Sequence, residues 1–287
     1  MISNLERLIA YTAVRQIHTT MQEYIIRRAQ ADDTDRIRKF LSQNNQSPSI
    51  SIHDQSIFVT AESDNQVVGV AGAELGSPNA LVRSTGVIDS WRSHGVASEL
   101  VCELFRVLRQ REISDLFLFS TGAGVFWTRK GFRECAINDL IAELPDAPQV
   151  KGYLDDGSIW SEVTWRRTLN DIAHLYELSD DDFETQFREA RLSPSLFSHE
   201  AHLRLAWLHL KKYGEPRAIT NITDQLKHYV AHWGAKDKYN EPLTVAAIKC
   251  VHALQQEKSH SGFLQFIRTN DQLKKDFKGT INPYLGK

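Results

Sequence analysis

The chain has 287 residues, 41% of them hydrophobic and 24% charged, enough to bury a substantial core and to form two modest domains. A formal net charge of −2 gives no general attraction to nucleic acid or to an anionic membrane, and no apolar run approaches the ~18–20 residues that a membrane-spanning helix needs. Cys102, Cys135 and Cys250 are odd in number, far apart and without CxxC spacing, and the N-terminus lacks a signal-peptide core, so the expectation is a soluble, cytoplasmic protein with reduced, packing cysteines.

Residues 1–22 read as an amphipathic helical extension with Leu5, Leu8, Ile9 and Thr12 on one side. Over residues 23–169, strand-like runs alternate with helical ones, which indicates mixed α/β structure. Strands are predicted at 24–26, 57–59, 67–75 and 80–88, with a helix at 32–43 and hairpin turns at Asp64-Asn65 and Gly76–Asn79. A helix at 96–111 gathers Val96, Leu100, Val101, Leu104, Phe105 and Leu108 on one face, as a helix lying on a sheet would. Residues 116–119 read as a buried strand. The alternation of Ile159, Ser161, Val163 and Trp165 predicts a last strand over 158–165.

Beyond residue 170 the β signals fade. Helices are predicted at 179–191, 198–213, 216–233, 244–258 and 262–277, forming a separate all-α domain over 170–287 with residues 170–178 as the junction. Ser179 with Asp182 has the form of a capping box, Pro216 suits a first turn, and Gly214 and Gly234 stand where helices stop.

The most informative segment is Gly86-Val87-Ile88-Asp89-Ser90-Trp91-Arg92-Ser93-His94-Gly95-Val96-Ala97-Ser98, between a strand and a strong helix. A helix start offers about four backbone N–H groups without internal partners, at the positive end of the helix dipole, so it can hold a pyrophosphate with main chain alone. Gly95 allows close approach of the backbone, Ala97 leaves room, and Arg92 adds positive charge at the rim.

Here the sequence resembles the GNAT N-acetyltransferase family, whose phosphate loop reads Gln/Arg-x-x-Gly-x-Gly/Ala at this position. Thr121 to Phe132, reading TGAGVFWTRKGF, is similar to the helix that follows in that family. Ala80-Leu81-Val82-Arg83-Ser84 and Glu143-Leu144-Pro145 look closest to the N-acetyltransferases associated with arsenic resistance. The resemblance implies a GNAT-like mixed sheet with flanking helices, acetyl-CoA as cofactor, and a splayed pair of central strands that receives the pantetheine arm. Val87, Ile88 and Asp89 would line that arm, and main chain from Arg92, Ser93, His94, Gly95, Val96, Ala97 and Ser98 would hold the pyrophosphate. Phe126 and Lys130 would flank the cofactor. His94 reads as a solvated loop residue and not as a base.

Acetyl transfer to an amine needs a polarised carbonyl, a neutral amine and a proton for the departing thiolate. The family supplies that proton from a tyrosine whose position here is Trp127, and an indole N–H is no practical acid. Thr121, Cys135 or a water are the candidate substitutes. If Glu74 pairs with Leu81 across the hairpin, Arg83 lies diagonal to Glu74 on the same face. Arg83 could then bind an acceptor's carboxylate while Glu74 receives the amine proton, the alternative being a salt bridge at a sheet edge.

Eight of the eleven histidines follow residue 170. His199 and His202 are one helical turn apart, as two metal ligands would be, with Glu241, His228 or His232 as possible further donors. A bundle whose histidines cap, pack or face solvent accounts for the same pattern and is the preferred reading. No metal is expected in the N-terminal half. The segments Ser198-His199-Glu200-Ala201-His202-Leu203-Arg204-Leu205-Ala206-Trp207-Leu208 and Lys238-Tyr239-Asn240-Glu241-Pro242-Leu243-Thr244 resemble an uncharacterised helical family that commonly carries histidine where Asn240 stands.

The expectation is an acetyl-CoA-dependent N-acetyltransferase acting on a small-molecule amine, with no nucleic-acid or membrane partner. The alternatives are a coenzyme A-binding sensor that lost turnover with the tyrosine, and a chain whose main activity lies in the helical half.

Overall fold

The computed structural model describes residues 23–260 and 262–286, so the extension predicted over 1–22 lies outside the described residues. Seven strands form one mixed sheet in the order β1-β2-β3-β4-β5-β7-β6. They are β1 (Ile25–Arg28), β2 (Ser56–Ser63), β3 (Gln66–Leu75), β4 (Ala80–Val87), β5 (Asp115–Phe119), β6 (Arg133–Glu134) and β7 (Thr164–Thr168). The first four make an antiparallel meander. Asp64 and Asn65 between β2 and β3 both have positive φ, 49° and 62°, the backbone of a two-residue hairpin turn that Asp and Asn tolerate best. Helix α1 (Thr34–Gln43) leads from β1 to β2 and buries Ile37, Phe40 and Leu41.

Strands β4 and β5 run parallel, which requires a crossover, and helix α2 (Val96–Arg109) supplies it. Its expected apolar face is buried against the sheet, each large side chain contributing about 1.5–3 kcal/mol. The β4–β5 ladder is short: Ala80 pairs with Leu116, Leu81 with Phe117 and Val82 with Leu118, and beyond these the strands diverge. Facing β3 at the same level, β4 carries a bulge where the register slips between Val70 and Gly72, and Ser84 adopts a positive φ of 52°. The result is the V that the family resemblance implies.

Two regions depart from the sequence reading. Residues 158–165 do not form one strand: Ser158–Ser161 is a 3-10 turn entered through left-handed Gly157, and β7 starts only at Thr164. Period-two alternation over a few residues fits a turn as well as a strand, and the real strand is disguised by Arg166 and Arg167, which pair with Phe117 and Leu116. Two further helices, α4 (Ile137–Glu143) and α5 (Pro148–Asp155), follow the short α3 (Gly124–Arg129) and β6. With Leu140, Leu144, Ala147 and Val150 they cover Leu81 and Phe117 on the sheet face opposite α2.

The rest of the described chain is helical: α6 (Asp180–Arg188), α7 (His199–Tyr213), α8 (Glu215–His232), α9 (Glu241–Glu257), α10 (Phe263–Thr269), α11 (Gln272–Lys275) and α12 (Phe277–Ile281). The fold is therefore α/β followed by an all-α region. Side chains start four of these helices, Ser179 Oγ accepting from the Asp182 N–H at 3.0 Å, Ser198 Oγ from Ala201 at 3.3 Å, Asn240 Oδ1 from Leu243 at 3.0 Å and Asp276 Oδ1 from Gly279 at 3.1 Å. The Asn240 cap moves the start of α9 three residues ahead of the predicted 244. The helix predicted over 262–277 is broken into three, because Asp276 caps a new turn by accepting from the Gly279 N–H.

Residues 170–178 are anchored to the sheet. Glu177, fully buried, accepts from Arg109 at 2.5 Å and from Arg167 at 2.7 and 3.0 Å. At the other end of α2, Arg268 of α10 donates to Glu99 at 2.8 Å and stacks on the ring of Tyr24, whose hydroxyl also donates to Glu99. Desolvation raises the pKa of Glu99 despite these partners. The helical region thus grips both ends of α2.

Candidate functional site

Where β4 and β5 part, the fold leaves a cavity of about 700 Å³. Its walls come from β4 (Val82 to Val87), the end of β5 and the following turn (Leu118 to Ala123), α3 and α5. A second cavity of about 660 Å³ adjoins it through Thr121, Gly122, Ala123 and Phe126 and is bordered by Ser98, Arg129, Lys130 and His174.

The loop before α2 sits at the cavity's edge. Asp89–Trp91 makes a 3-10 turn, Trp91 packs inward, and Ser93 and Gly95 take positive φ of 63° and 85°. A left-handed Gly95 starts α2 with no side-chain cap, so the first-turn N–H groups are left for an external acceptor. A Cβ on Gly95 would meet only Glu99 Oε1, at 3.8 Å, so glycine is required there by the backbone angle and not by crowding. Arg92 Nε donates to Val87 O at 3.2 Å, and its guanidinium pairs with Asp89 at 2.9 Å on the surface.

Of the residues expected from sequence, Arg83, Val87, Arg92, Ala97, Thr121 and Phe126 line the main cavity, and Ser98 and Lys130 the adjoining one. Ile88, Asp89, Ser93, His94, Gly95 and Val96 are not among the lining residues. Val96 has its side chain in the core, leaving only its N–H for binding, and His94 is exposed. Lys130 is buried, its Nζ 3.8 Å from Cys102 Sγ and 5.9 Å from the Phe126 ring centre. Burial pushes the Cys102 thiol up to about 11, so it stays protonated beside the ammonium.

Trp127, where the family's tyrosine was expected, is buried and packs edge-on against Phe126 and Phe132. Cys135 does not line the cavity, and burial raises its pKa, whereas Thr121, the other side chain considered, does line it. Glu74 does pair with Leu81, and Arg83 is bonded to Glu74, but the pair is buried and both members have further partners. Glu74 Oε2 accepts from the Gln149 N–H at 2.9 Å, Arg83 also donates to Ser49 O at 3.1 Å, and Glu74 faces a different cavity, of about 340 Å³. Each Glu74 carboxylate oxygen already accepts one hydrogen bond, and Glu74 is not among the residues that line the main cavity.

Residues that sequence reasoning missed complete the main cavity. Tyr153 and Gln149 of α5 line it, Gln149 Nε2 donating to Tyr153 Oη at 3.0 Å, and so do Gln46 and Glu162. Glu162 is the only carboxylate among the described residues of the lining. Gln46 Nε2 donates to Thr85 O at 2.9 Å, which orients its amide, and glycine at position 86 makes room for it, since a Cβ there would come within 2.9 Å. Gln46 Oε1, Thr85 Oγ1 and Gln149 Oε1 are buried without a hydrogen-bond partner, and all three residues line this cavity. Unpaired buried polar atoms cost about 1–3 kcal/mol each unless a water or a ligand meets them. Pro148 at a first turn with Val150 and Tyr153 one turn apart was the available sequence signal for α5.

The histidine pair does not form a metal site. His199 Nε2–H donates to Leu273 O at 3.1 Å and His202 Nδ1–H to Ser198 O at 2.9 Å, and no group of three or more His, Cys, Asp or Glu suited to a metal exists among the described residues.

Residues 14–132, which include β1 through α3 and the loop, match the family model described as Acetyltransferase (GNAT) family. The match supports a GNAT acetyltransferase domain in this part of the chain. Similar solved structures include an acetyltransferase of the GNAT family from Staphylococcus aureus Mu50, at 17% identity and TM-score 0.40 over 51% of this chain and 99% of that one. Another is N-acetylglutamate synthase from Neisseria gonorrhoeae complexed with coenzyme A and N-acetyl-glutamate, at 21% identity and TM-score 0.41 over 51% of this chain and 35% of that one. A third is a Mycobacterium tuberculosis protein in complex with CoA, at 19% identity and TM-score 0.40 over 50% of this chain and 98% of that one. No curated protein matches the chain. No helix among the described residues is long and apolar enough to cross a membrane.

Proposed function

We propose that the sheet half is an acetyl-CoA-dependent N-acetyltransferase acting on a small-molecule amine. The observation that carries this reading is the uncapped, left-handed start of α2 opening beside the V between β4 and β5. The first-turn N–H groups of Val96, Ala97 and Ser98 would hold the pyrophosphate, with Arg92, Arg129 and Lys130 supplying positive charge around it. Val82 to Val87 would line the pantetheine arm, and Phe126 would pack against it. When bound, acetyl-CoA supplies an activated acetyl thioester.

The acceptor would enter from the side of α5 and Gln46. Glu162 would receive the ammonium proton, and Gln46 Oε1 and Gln149 Oε1 would accept from the amine N–H groups. Tyr153, whose phenol can give up a proton where the Trp127 indole cannot, is the candidate donor to the departing thiolate. A carboxylate on the acceptor gains little from Arg83, because Glu74 already neutralises that guanidinium in a buried pair. Isothermal titration with acetyl-CoA, followed by thiol release over a panel of small amines, tests the proposal. Tyr153→Phe is expected to lower kcat by about 10²-fold or more with unchanged acetyl-CoA affinity. Failure to bind acetyl-CoA would refute the reading. Binding with no turnover on any amine would replace it with the sensor reading, which Trp127 favours.

A further inference from the structure

The two helical segments singled out in the sequence, 198–208 and 238–244, converge on one cavity of about 590 Å³ that plays no part in the acetyltransferase reading. From the first segment come His199, His202, Leu205 and Ala206, and from the second Lys238, Tyr239, Asn240, Leu243 and Thr244. Phe197, Tyr229, Trp233 and Phe277 complete an aromatic wall, and Leu226, Ile248 and Ala247 an aliphatic one. A cleft of this size, mostly apolar with a few polar groups, has the make-up of a small-molecule site.

Its charge is one-sided. No Asp or Glu is among the lining residues, whereas Lys238 is, exposed and in none of the ion pairs among the described residues. Asp237, the residue before Lys238, is exposed and outside the lining; Glu241, which pairs with Lys227 at 2.8 Å and accepts from the Tyr239 hydroxyl at 3.3 Å, and Glu200, which pairs with Lys274 at 2.9 Å, are outside it too. The capped first turns of α7 and α9, the positive ends of two long helices, both border the cavity. His202 lines the cavity and is exposed, and desolvation lowers its pKa. Its Nδ1–H is given to Ser198 O, so the neutral ring turns a bare Nε2 acceptor outward from that bond.

We propose that this cavity binds an aromatic or branched-aliphatic carboxylic acid, its apolar body among the aromatic rings and its carboxylate at Lys238. A cationic ligand would gain from the rings but would meet Lys238 with no carboxylate to neutralise it.

The test is isothermal titration of the full chain with 4-phenylbutyrate, 4-phenylbutanol and 4-phenylbutylamine, with tryptophan fluorescence as a second readout. The acid is expected to bind at least about tenfold more tightly than the amine and to quench Trp233, a response that Trp233→Phe removes. Lys238→Gln, a surface change that leaves the fold intact, should weaken the acid about fivefold or more while moving the alcohol less than about twofold. Ala247→Trp, which fills the cavity, should abolish binding of all three, and none of these variants should alter acetyl-CoA binding. Equal affinity for acid and amine, an unchanged acid affinity in Lys238→Gln, or no saturable binding up to ~10 mM would each overturn the proposal. These readouts are independent of transferase activity.

Discussion

Glu177→Gln removes a single charge at the point where the helical region meets the sheet. The carboxylate is fully buried and is shared by Arg167, 1% exposed at its side chain, and Arg109, 20% exposed. Breaking a buried ion pair by neutralising one member costs about 3–5 kcal/mol, because the remaining charge stays desolvated. Arg167 keeps other partners: it donates to Lys130 O at 2.8 Å and to Asp171 O, and it lies 4.8 Å from the Phe105 ring centre. These hold the expected loss near the lower figure, about 3 kcal/mol. Urea denaturation followed by far-UV circular dichroism reads it as a lowered midpoint with an unchanged slope. The double variant Glu177→Gln/Arg167→Met should recover part of that loss, since it removes the uncompensated Arg167 charge but leaves Lys130 O and Asp171 O without their donor. A loss below about 1 kcal/mol in Glu177→Gln, or a double variant no more stable than the single one, would refute the assignment of this pair as the junction's anchor.

Gly95→Ala places a side chain at φ 85°, which costs about 1–2 kcal/mol. The variant should stay folded yet bind acetyl-CoA markedly more weakly, and unchanged affinity by titration would contradict the role given to the start of α2. His209 is fully buried on α7, with neither ring nitrogen hydrogen-bonded; Glu184 lies 3.5 Å away, Lys212 and Tyr213 are bonded to that carboxylate, and Arg188 is nearby. Desolvation lowers its folded pKa, so the unfolded chain takes the proton first. The stability it gives is present above pH ~6.5 and falls as the pH drops below, by up to about 1.4 kcal/mol per pH unit for this one group. His209→Leu should flatten that slope in denaturation measured between pH 7 and 5, and an unaltered slope would show that the ring does not titrate on unfolding.

Much of the sheet half was legible because its signals are local. Strand-forming runs separated by Asp64-Asn65, the one-sided face of α2 and Arg92-x-x-Gly95-x-Ala97 each lie within a few turns of chain, where period and turn chemistry operate directly. The strand β7 was misplaced because its arginines look exposed in sequence. Arg167 is buried because Glu177, Lys130 O and Asp171 O all meet its guanidinium. The Glu74–Arg83 geometry was readable from hairpin spacing, but its further bonds to Gln149 and Ser49 were not, since those groups arrive from segments far along the chain.

The same division applies to what the protein can bind. Sequence alone determined where an anion-holding loop stands, because that depends on a strand, a glycine and a helix start that are consecutive. Tertiary structure alone decided which acceptors face the V, assembling Gln46, Thr85, Gln149, Tyr153 and Glu162 from separate segments. It also turned a suspected histidine metal pair into two rings hydrogen-bonded to backbone carbonyls, bordering a cavity that needs Lys238 and Asn240 from some forty residues further on. Chemistry built from neighbours in the chain is written in its order. Chemistry built from neighbours in space appears only once packing has chosen them.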